Sequence, residues 1–347
     1  MFWILGAEEI VHALSHASQS GWSRFLALQL SHKDWEGVAF YDLIFPLFVF
    51  MAGISLVFSL GRLLQESGRS GALVRVIRRS VLLYLIGIVY YGGISQGVEH
   101  IRLMGVLQRI ALAYFFTGLL FCFFRWRGLV AACAALLLGY WALMALVPAP
   151  GIGAGHYAEG QNLANYVDAQ YLPFRKWDGD HDPEGLLSTL PAIGTCILGA
   201  LAGLFITNRR YSEERKVAYL LGAGIAGVAL GFLWGLEFPV IKKIWTSSYV
   251  LVAAGYSCIF LALFHYLIEV KQYQRWAMPF VWIGMNPITL YVAFAIVKFP
   301  ELAERLVGGP VKAALGQYGE VLVTAVALGL VFALANFLYR KKVFIRI

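Results

Sequence analysis

Between positions 39 and 60 the only charged residue is Asp42. A run of this length matches the roughly 20 apolar residues that carry a helix across the hydrocarbon core of a bilayer. Segments 217–234, 250–268 and 321–339 repeat the pattern. Hydrophobic residues make up 60% of the 347 positions and charged residues only 14%, with a mean hydropathy of +0.69. A soluble domain usually carries about a quarter charged residues, so that class is excluded. The reading is all-α: a polytopic transmembrane helix bundle of about ten spans, forming a single domain over 1–347. Spans are expected near 1–14, 39–62, 76–94, 105–124, 128–148, 185–206, 217–234, 248–269, 278–298 and 319–339. The first is short, so the chain is expected to start inside a span. It does not read as a cleavable signal peptide, because Glu8 and Glu9 interrupt it and no basic stretch precedes it.

The formal charge of +8 does not point to nucleic acid. Lysine and arginine fall in short clusters between apolar segments, where topology signals belong, and no phosphate-binding glycine loop or zinc-finger spacing occurs. One set of loops holds Arg62, Arg69, Arg75, Arg78, Arg79, Arg125, Arg127, Arg209, Arg210, Arg215, Lys216, Lys271, Arg275, Arg340, Lys341, Lys342 and Arg346. The other set holds fewer basic residues over longer stretches, and Arg109 lies within a span. The positive-inside rule then puts both termini in the cytosol, with the connections 15–38, 149–184 and 299–318 facing outward. Cys122, Cys133, Cys196 and Cys258 sit in apolar segments without a CxxC pair and read as small hydrophobes.

An ionisable residue at bilayer depth costs roughly 2.5–3.5 kcal/mol unless paired or hydrated, and four places invite a reason. His32 lies just outside the second span and Asp42 just inside it. A histidine held by a carboxylate can accept a proton from an attacking nucleophile; the simpler reading is an interfacial histidine beside the aromatic Trp35. Gln108 and Arg109 enter an apolar helix and should face the bundle interior, where Arg109 either pairs with Asp42 or holds an anionic substrate group. The outer stretch through Trp177, His181, Asp182 and Glu184 has a sugar-binding composition, although Asp182-Pro183-Glu184 equally reads as a helix start. Lys243 and Trp245 precede one span, and Asn286-Pro287 lies within another; these read as a polar cavity lining or as a kink with local repair. Glu8, His12 and His16 share one helical face as zinc ligands can, but no further ligand is evident and no metal is expected.

These stretches, taken in order, resemble the heparan-α-glucosaminide N-acetyltransferase family. The resemblance rests on Met1-Phe2-Trp3-Ile4-Leu5-Gly6, His32-x-x-Trp35-x-Gly37, Asp42-Leu43-Ile44-Phe45-Pro46-Leu47-Phe48-Val49-Phe50-Met51-x-Gly53 and Gly105-Val106-Leu107-Gln108-Arg109-Ile110. It continues through Asp182-Pro183-Glu184-Gly185-Leu186, Lys243-x-Trp245-Thr246-x-Ser248-Tyr249 and Gly284-Met285-Asn286-Pro287. It implies a transmembrane acyltransferase that moves an acetyl group from cytosolic acetyl-CoA, a co-substrate, to an amino sugar or related glycan on the outer side. It places the family's active histidine at His32 and, by rough alignment, an asparagine position at Glu8. It also implies a homodimer. An Arg-Gly stretch expected upstream is missing, as are a large lumenal domain and any Asn-x-Ser/Thr acceptor, which favours a bacterial cytoplasmic membrane.

The expected chemistry has His32 as base or acetyl carrier, Asp42 or Glu8 orienting it, and Asn286 or Gln108 donating to the oxyanion. Gln108, Arg109, Trp177, His181, Asp182, Glu184, Lys243 and Trp245 are expected to bind substrate, with membrane lipid around the bundle. A sugar or solute transporter or flippase, with Arg109, Asp42 and Asn286 along its path, is the alternative. A metal-dependent hydrolase built on Glu8, His12 and His16 is the third reading.

Overall fold

A computed structural model describes residues 1–18, 20–95 and 97–344; Arg346, counted above among the cytosolic basic residues, lies outside them. The helices in chain order are α1 (Glu8–Ser18), α2 (Gly21–Gln29), α3 (Ile44–Glu66), α4 (Gly68–Tyr90), α5 (Val106–Phe123), α6 (Trp126–Leu146), α7 (Leu163–Tyr171) and α8 (Thr189–Ile206). They continue with α9 (Glu213–Trp234), α10 (Ser247–His265), α11 (Met278–Met285), α12 (Pro287–Val297), α13 (Phe299–Val307), α14 (Pro310–Ala314) and α15 (Gly319–Arg340). A two-stranded hairpin, β1 (Tyr157–Ala158) and β2 (Gln161–Asn162), precedes α7. The all-α architecture agrees with the sequence reading.

Among the described residues, seven helices are long and apolar enough to cross a membrane, or eight when the bent pair Arg275–Met285 and Pro287–Val297 counts as one span. Three of the ten expected segments therefore do not form single apolar helices. The chain turns at Gly6 (φ +107) before α1 begins with Glu8 and Glu9. The segment around 76–94 is helical, as α4, but carries Arg69, Arg75, Arg78 and Arg79. The segment 278–298 bends by 71° at Asn286, where Pro287 cannot donate to the helix ladder. Asp182-Pro183-Glu184 does not start a helix: turns follow, and α8 begins at Thr189.

The chain divides into two compact units. One comprises Met1–His32, Ala39–Tyr41 and the chain from Gln272 onward; the other comprises Lys33–Val38 and Asp42–Lys271. In the first, α1, α11 and α13 pack on α15 around Leu5, Ile283, Phe299, Ala303 and Val331. In the second, α8 is the central helix, packed by α3, α5 and α6, while α9 pairs with α10. The α3–α8 contact in this unit is backbone on backbone. A Cβ on Gly53 would lie 2.0 Å from the Cys196 carbonyl oxygen, and one on Gly199 would lie 1.9 Å from that of Phe50. Small residues of this kind are what let helices pack where lipid tails remove the hydrophobic drive between them. Leu221, Ile225, Leu230 and Leu233 of α9 are exposed, the surface expected of a helix facing hydrocarbon. The chain is an integral membrane protein.

Candidate functional site

The predicted site residues fall in both units. In the first, Glu8 opens α1, and its Oε1 accepts a hydrogen bond of 2.8 Å from the Tyr41 hydroxyl. The His32 ring packs on Tyr41 with centroids 4.7 Å apart. Glu8 thus fixes the ring against which His32 rests. His12 Nε2 lies 3.3 Å from the Leu30 carbonyl, so Glu8 and His12 serve local packing. Asn286 donates 2.9 Å through Nδ2 to the Val343 carbonyl, and its backbone N–H donates 3.2 Å to the Ile283 carbonyl, the one that Pro287 cannot serve.

In the second unit Asp42 is fully buried. Its Oδ2 accepts the Lys33 N–H at 3.2 Å, the amide that follows His32 in the chain. Its Oδ1 lies 3.1 Å from the Lys242 ammonium, and its backbone carbonyl accepts the Tyr249 hydroxyl at 2.7 Å. Lys242 has its pKa lowered by burial, with the Asp42 charge opposing that shift. The sequence reading offered Arg109 as a partner for Asp42. The ammonium on the Asp42 carboxylate is that of Lys242, brought there by the turn Ile241–Trp245, and no sequence spacing signals a pairing across about two hundred residues.

Arg109 of α5 is fully buried. One terminal nitrogen donates to Ser188 Oγ and to the Gly185 carbonyl, and the guanidinium lies 4.8 Å from the Trp245 ring centre. Its Nε and other terminal nitrogen have no hydrogen-bond partner among the described residues. Trp245 is core rather than loop surface: 1% exposed, with its Nε1 donating 3.1 Å to Thr195 and a left-handed backbone (φ +49). Gln108, also fully buried, donates through Nε2 to the Arg102 carbonyl at 3.1 Å.

The polar loops of this unit separate into two clusters: His181 parts from Trp177, Asp182 and Glu184, with which the sequence groups it. Arg102 holds Asp182 through two bonds (2.9 and 2.7 Å) and Glu184 through one (2.6 Å). Its guanidinium carbon lies 4.5 Å from the Tyr91 ring centre and 4.8 Å from that of Trp177, two rings that meet edge to face. Asp182, Glu184 and Trp177, expected to bind substrate, are engaged by this clamp; Arg102 was read only as a loop charge. Beneath it, Asp168 Oδ1 accepts the Leu186 N–H at 2.8 Å. A Cβ at residue 185 would lie 1.8 Å from Asp168 Oδ2, so glycine there lets the carboxylate in. Burial pushes the Asp168 carboxyl up to about 6 against the pull of those amides.

The second cluster is more open. Lys243 Nζ lies 2.6 Å from Glu159 Oε1 and 3.0 Å from Asp178 Oδ2, and 5.9 Å from the centre of the Trp35 ring. Burial alone lowers the Lys243 pKa, but the two carboxylates outweigh it and leave it raised. His181 Nδ1 lies 2.6 Å from Asp180 Oδ1. Glu159, Asp178 and Asp180 stand outside the expected set; Asp178 and Asp180 adjoin His181 in the chain, while Glu159 reaches it, and Lys243 reaches all of them, only through loop folding.

Residues 19–223 match the family described as "Heparan-alpha-glucosaminide N-acetyltransferase, catalytic". Two relatives, both named heparan-alpha-glucosaminide N-acetyltransferase, align with 91% of this chain. The Mus musculus protein is 26% identical over 382 positions, covering 56% of its own length. The Homo sapiens protein is 27% identical over 377 positions, covering 55% of its length. The chain spans about half the length of these curated relatives.

Proposed function

The chain belongs to the heparan-alpha-glucosaminide N-acetyltransferase family, and on that footing we propose that it is a transmembrane acyltransferase moving an acetyl group from cytosolic acetyl-CoA to the amine of a sugar on the outer face of a bacterial cytoplasmic membrane. Both units act as one acyltransferase domain with cytosolic termini. The observation that carries the residue assignment is the Asp42 carboxylate, fully buried and shared between the Lys242 ammonium and the amide following His32. A histidine in a loop has no ladder of helical bonds to hold it, and a misplacement of about 1 Å costs about a hundredfold in rate. An ion-paired carboxylate on the neighbouring amide supplies the missing restraint.

In this mechanism the sugar nitrogen attacks the thioester carbonyl carbon, and the carbon–sulfur bond breaks as CoA thiolate leaves. His32 takes the proton from the nitrogen and returns it to the thiolate; in the two-step variant the imidazole carries the acetyl group between the two. Arg109, with two donor nitrogens unpartnered among the described residues, and Asn286 are the donors assigned to substrate oxygens. The exposed Arg62, Arg69, Arg75 and Arg78 meet the CoA phosphates from the cytosolic side. The 71° break at Asn286 favours one second reading, a sugar transporter or flippase.

The test is label transfer from radiolabelled acetyl-CoA in proteoliposomes with a panel of amino sugars. Label appearing on a sugar, and falling by about 10²–10⁴-fold in His32→Ala, is the expected result. Saturable uptake of unmodified sugar with no labelled product would overturn the enzyme reading in favour of the transporter.

A further inference from the structure

An ammonium group presents three N–H donors, and the open cluster of the second unit presents three acceptors. One ligand atom from each of Glu159, Asp178 and His181 lies within 4.8 Å of the other two. Lys243 already places an ammonium against the two carboxylates, at 2.6 and 3.0 Å. Only Glu159 takes a hydrogen bond from it; Asp178 Oδ2 has the ion pair alone and His181 Nε2 has neither. The Asp180 carboxylate accepts the Nδ1–H of His181, and in the neutral ring that leaves the lone pair on Nε2. That atom is buried, has no hydrogen-bond partner among the described residues, and lies 3.8 Å from Glu159 Oε1 in a residue only 5% exposed. Leaving such an acceptor unsatisfied costs about 1–3 kcal/mol, so it points to an absent donor.

We propose that Glu159, Asp178 and His181 form the subsite for the ammonium group of the acceptor sugar, and that Lys243 is its tethered occupant, displaced when the sugar binds. The proposal rests on the acyltransferase reading above and assigns its acceptor end. Lys243 offers the same primary ammonium as an amino sugar, so the exchange is like for like in charge. Trp35 borders the subsite with its ring fixed by a 2.8 Å bond from Nε1 to the Tyr157 carbonyl, and an indole face suits the apolar side of a pyranose. Trp35 also lies three positions after His32 in the chain. A bound ammonium must shed a proton before its nitrogen can attack. The Nε2 lone pair of His181 receives that proton, leaving a neutral amine and an imidazolium paired with Asp180.

Two carboxylates and an imidazole also suit a divalent cation, but a dication would meet the Lys243 charge, and the test separates the two. Full-length protein in lipid nanodiscs is titrated with glucosamine, N-acetylglucosamine, glucose and Zn²⁺ without acetyl-CoA, following tryptophan fluorescence. Glu159→Gln and Asp178→Asn are expected to weaken glucosamine binding by about tenfold while leaving the two uncharged sugars alone. Lys243→Met removes the occupant and should tighten glucosamine several-fold; Lys243→Arg, which grips both carboxylates with a planar fork, should weaken it. Glucosamine binding that ignores both Lys243 variants, or that is absent from wild type and Lys243→Met alike, overturns the subsite. So does saturable Zn²⁺ binding that disappears in His181→Ala while glucosamine binding is unaffected. If acetyl transfer proceeds with an acceptor KM indifferent to Lys243→Met, only the subsite fails. If glucosamine binding responds as described but no acetyl moves, the subsite stands and the acyltransferase reading falls.

Discussion

Asp42, Arg109 and Asp168 are each buried charges, and the protein treats them in three ways. Among the described residues, Asp42 has an ammonium and an amide, Arg109 has a hydroxyl and a carbonyl but two idle donors, and Asp168 has backbone amides alone. In the third case burial leaves the carboxyl raised, to about 6 from its ordinary value of 3.8. The native state then holds the proton more tightly than the unfolded chain does, so the associated stability is complete below about pH 3.8 and is lost as pH rises through about 6. A shift of that size is worth about 3 kcal/mol. Melting temperature in detergent should fall as pH rises from about 4 to about 7, and Asp168→Asn should flatten that slope; an unchanged slope in the variant would remove Asp168 as its source.

At the scale of elements, two contacts hold the second unit in ways a hydropathy plot does not register. The α3–α8 contact relies on Gly53 and Gly199, whose missing side chains admit the opposite backbone. Gly199→Val should cost roughly 1–3 kcal/mol or more, by overpacking against the Phe50 carbonyl; a thermal melt reads it directly. The Arg102 clamp ties the loop before α5 to the loop before α8 through Asp182 and Glu184. Arg102→Leu would leave two buried carboxylates unpaired, at a cost of roughly 3–5 kcal/mol, seen as loss of folded protein in size-exclusion chromatography. Arg102→Lys should recover part of this, because it restores the charge without the paired donors.

At the scale of the whole molecule, the proposed reaction has a direction across the membrane. In sealed vesicles of known orientation, acetyl-CoA should act only from the face bearing the basic loops, and the acetylated sugar should appear only on the other. Product on the same side as acetyl-CoA would contradict the assigned sidedness. The all-α class and the family were legible from sequence, because bilayer-length apolar runs and contiguous motifs are local properties of a chain. The Asn286-Pro287 break was legible for the same reason, since proline forbids a helical bond wherever the chain goes. Which carboxylate meets which cation was not legible. Lys242 reaches Asp42 across the length of the second unit, Arg102 takes the carboxylates expected to bind sugar, and Glu159 comes to His181 through irregular loops. Such pairings depend on which surfaces the packed helices bring together, and no periodicity or spacing encodes that. Tertiary structure alone therefore decided which of the polar residues are committed to the fold and which have donors or acceptors left for a ligand.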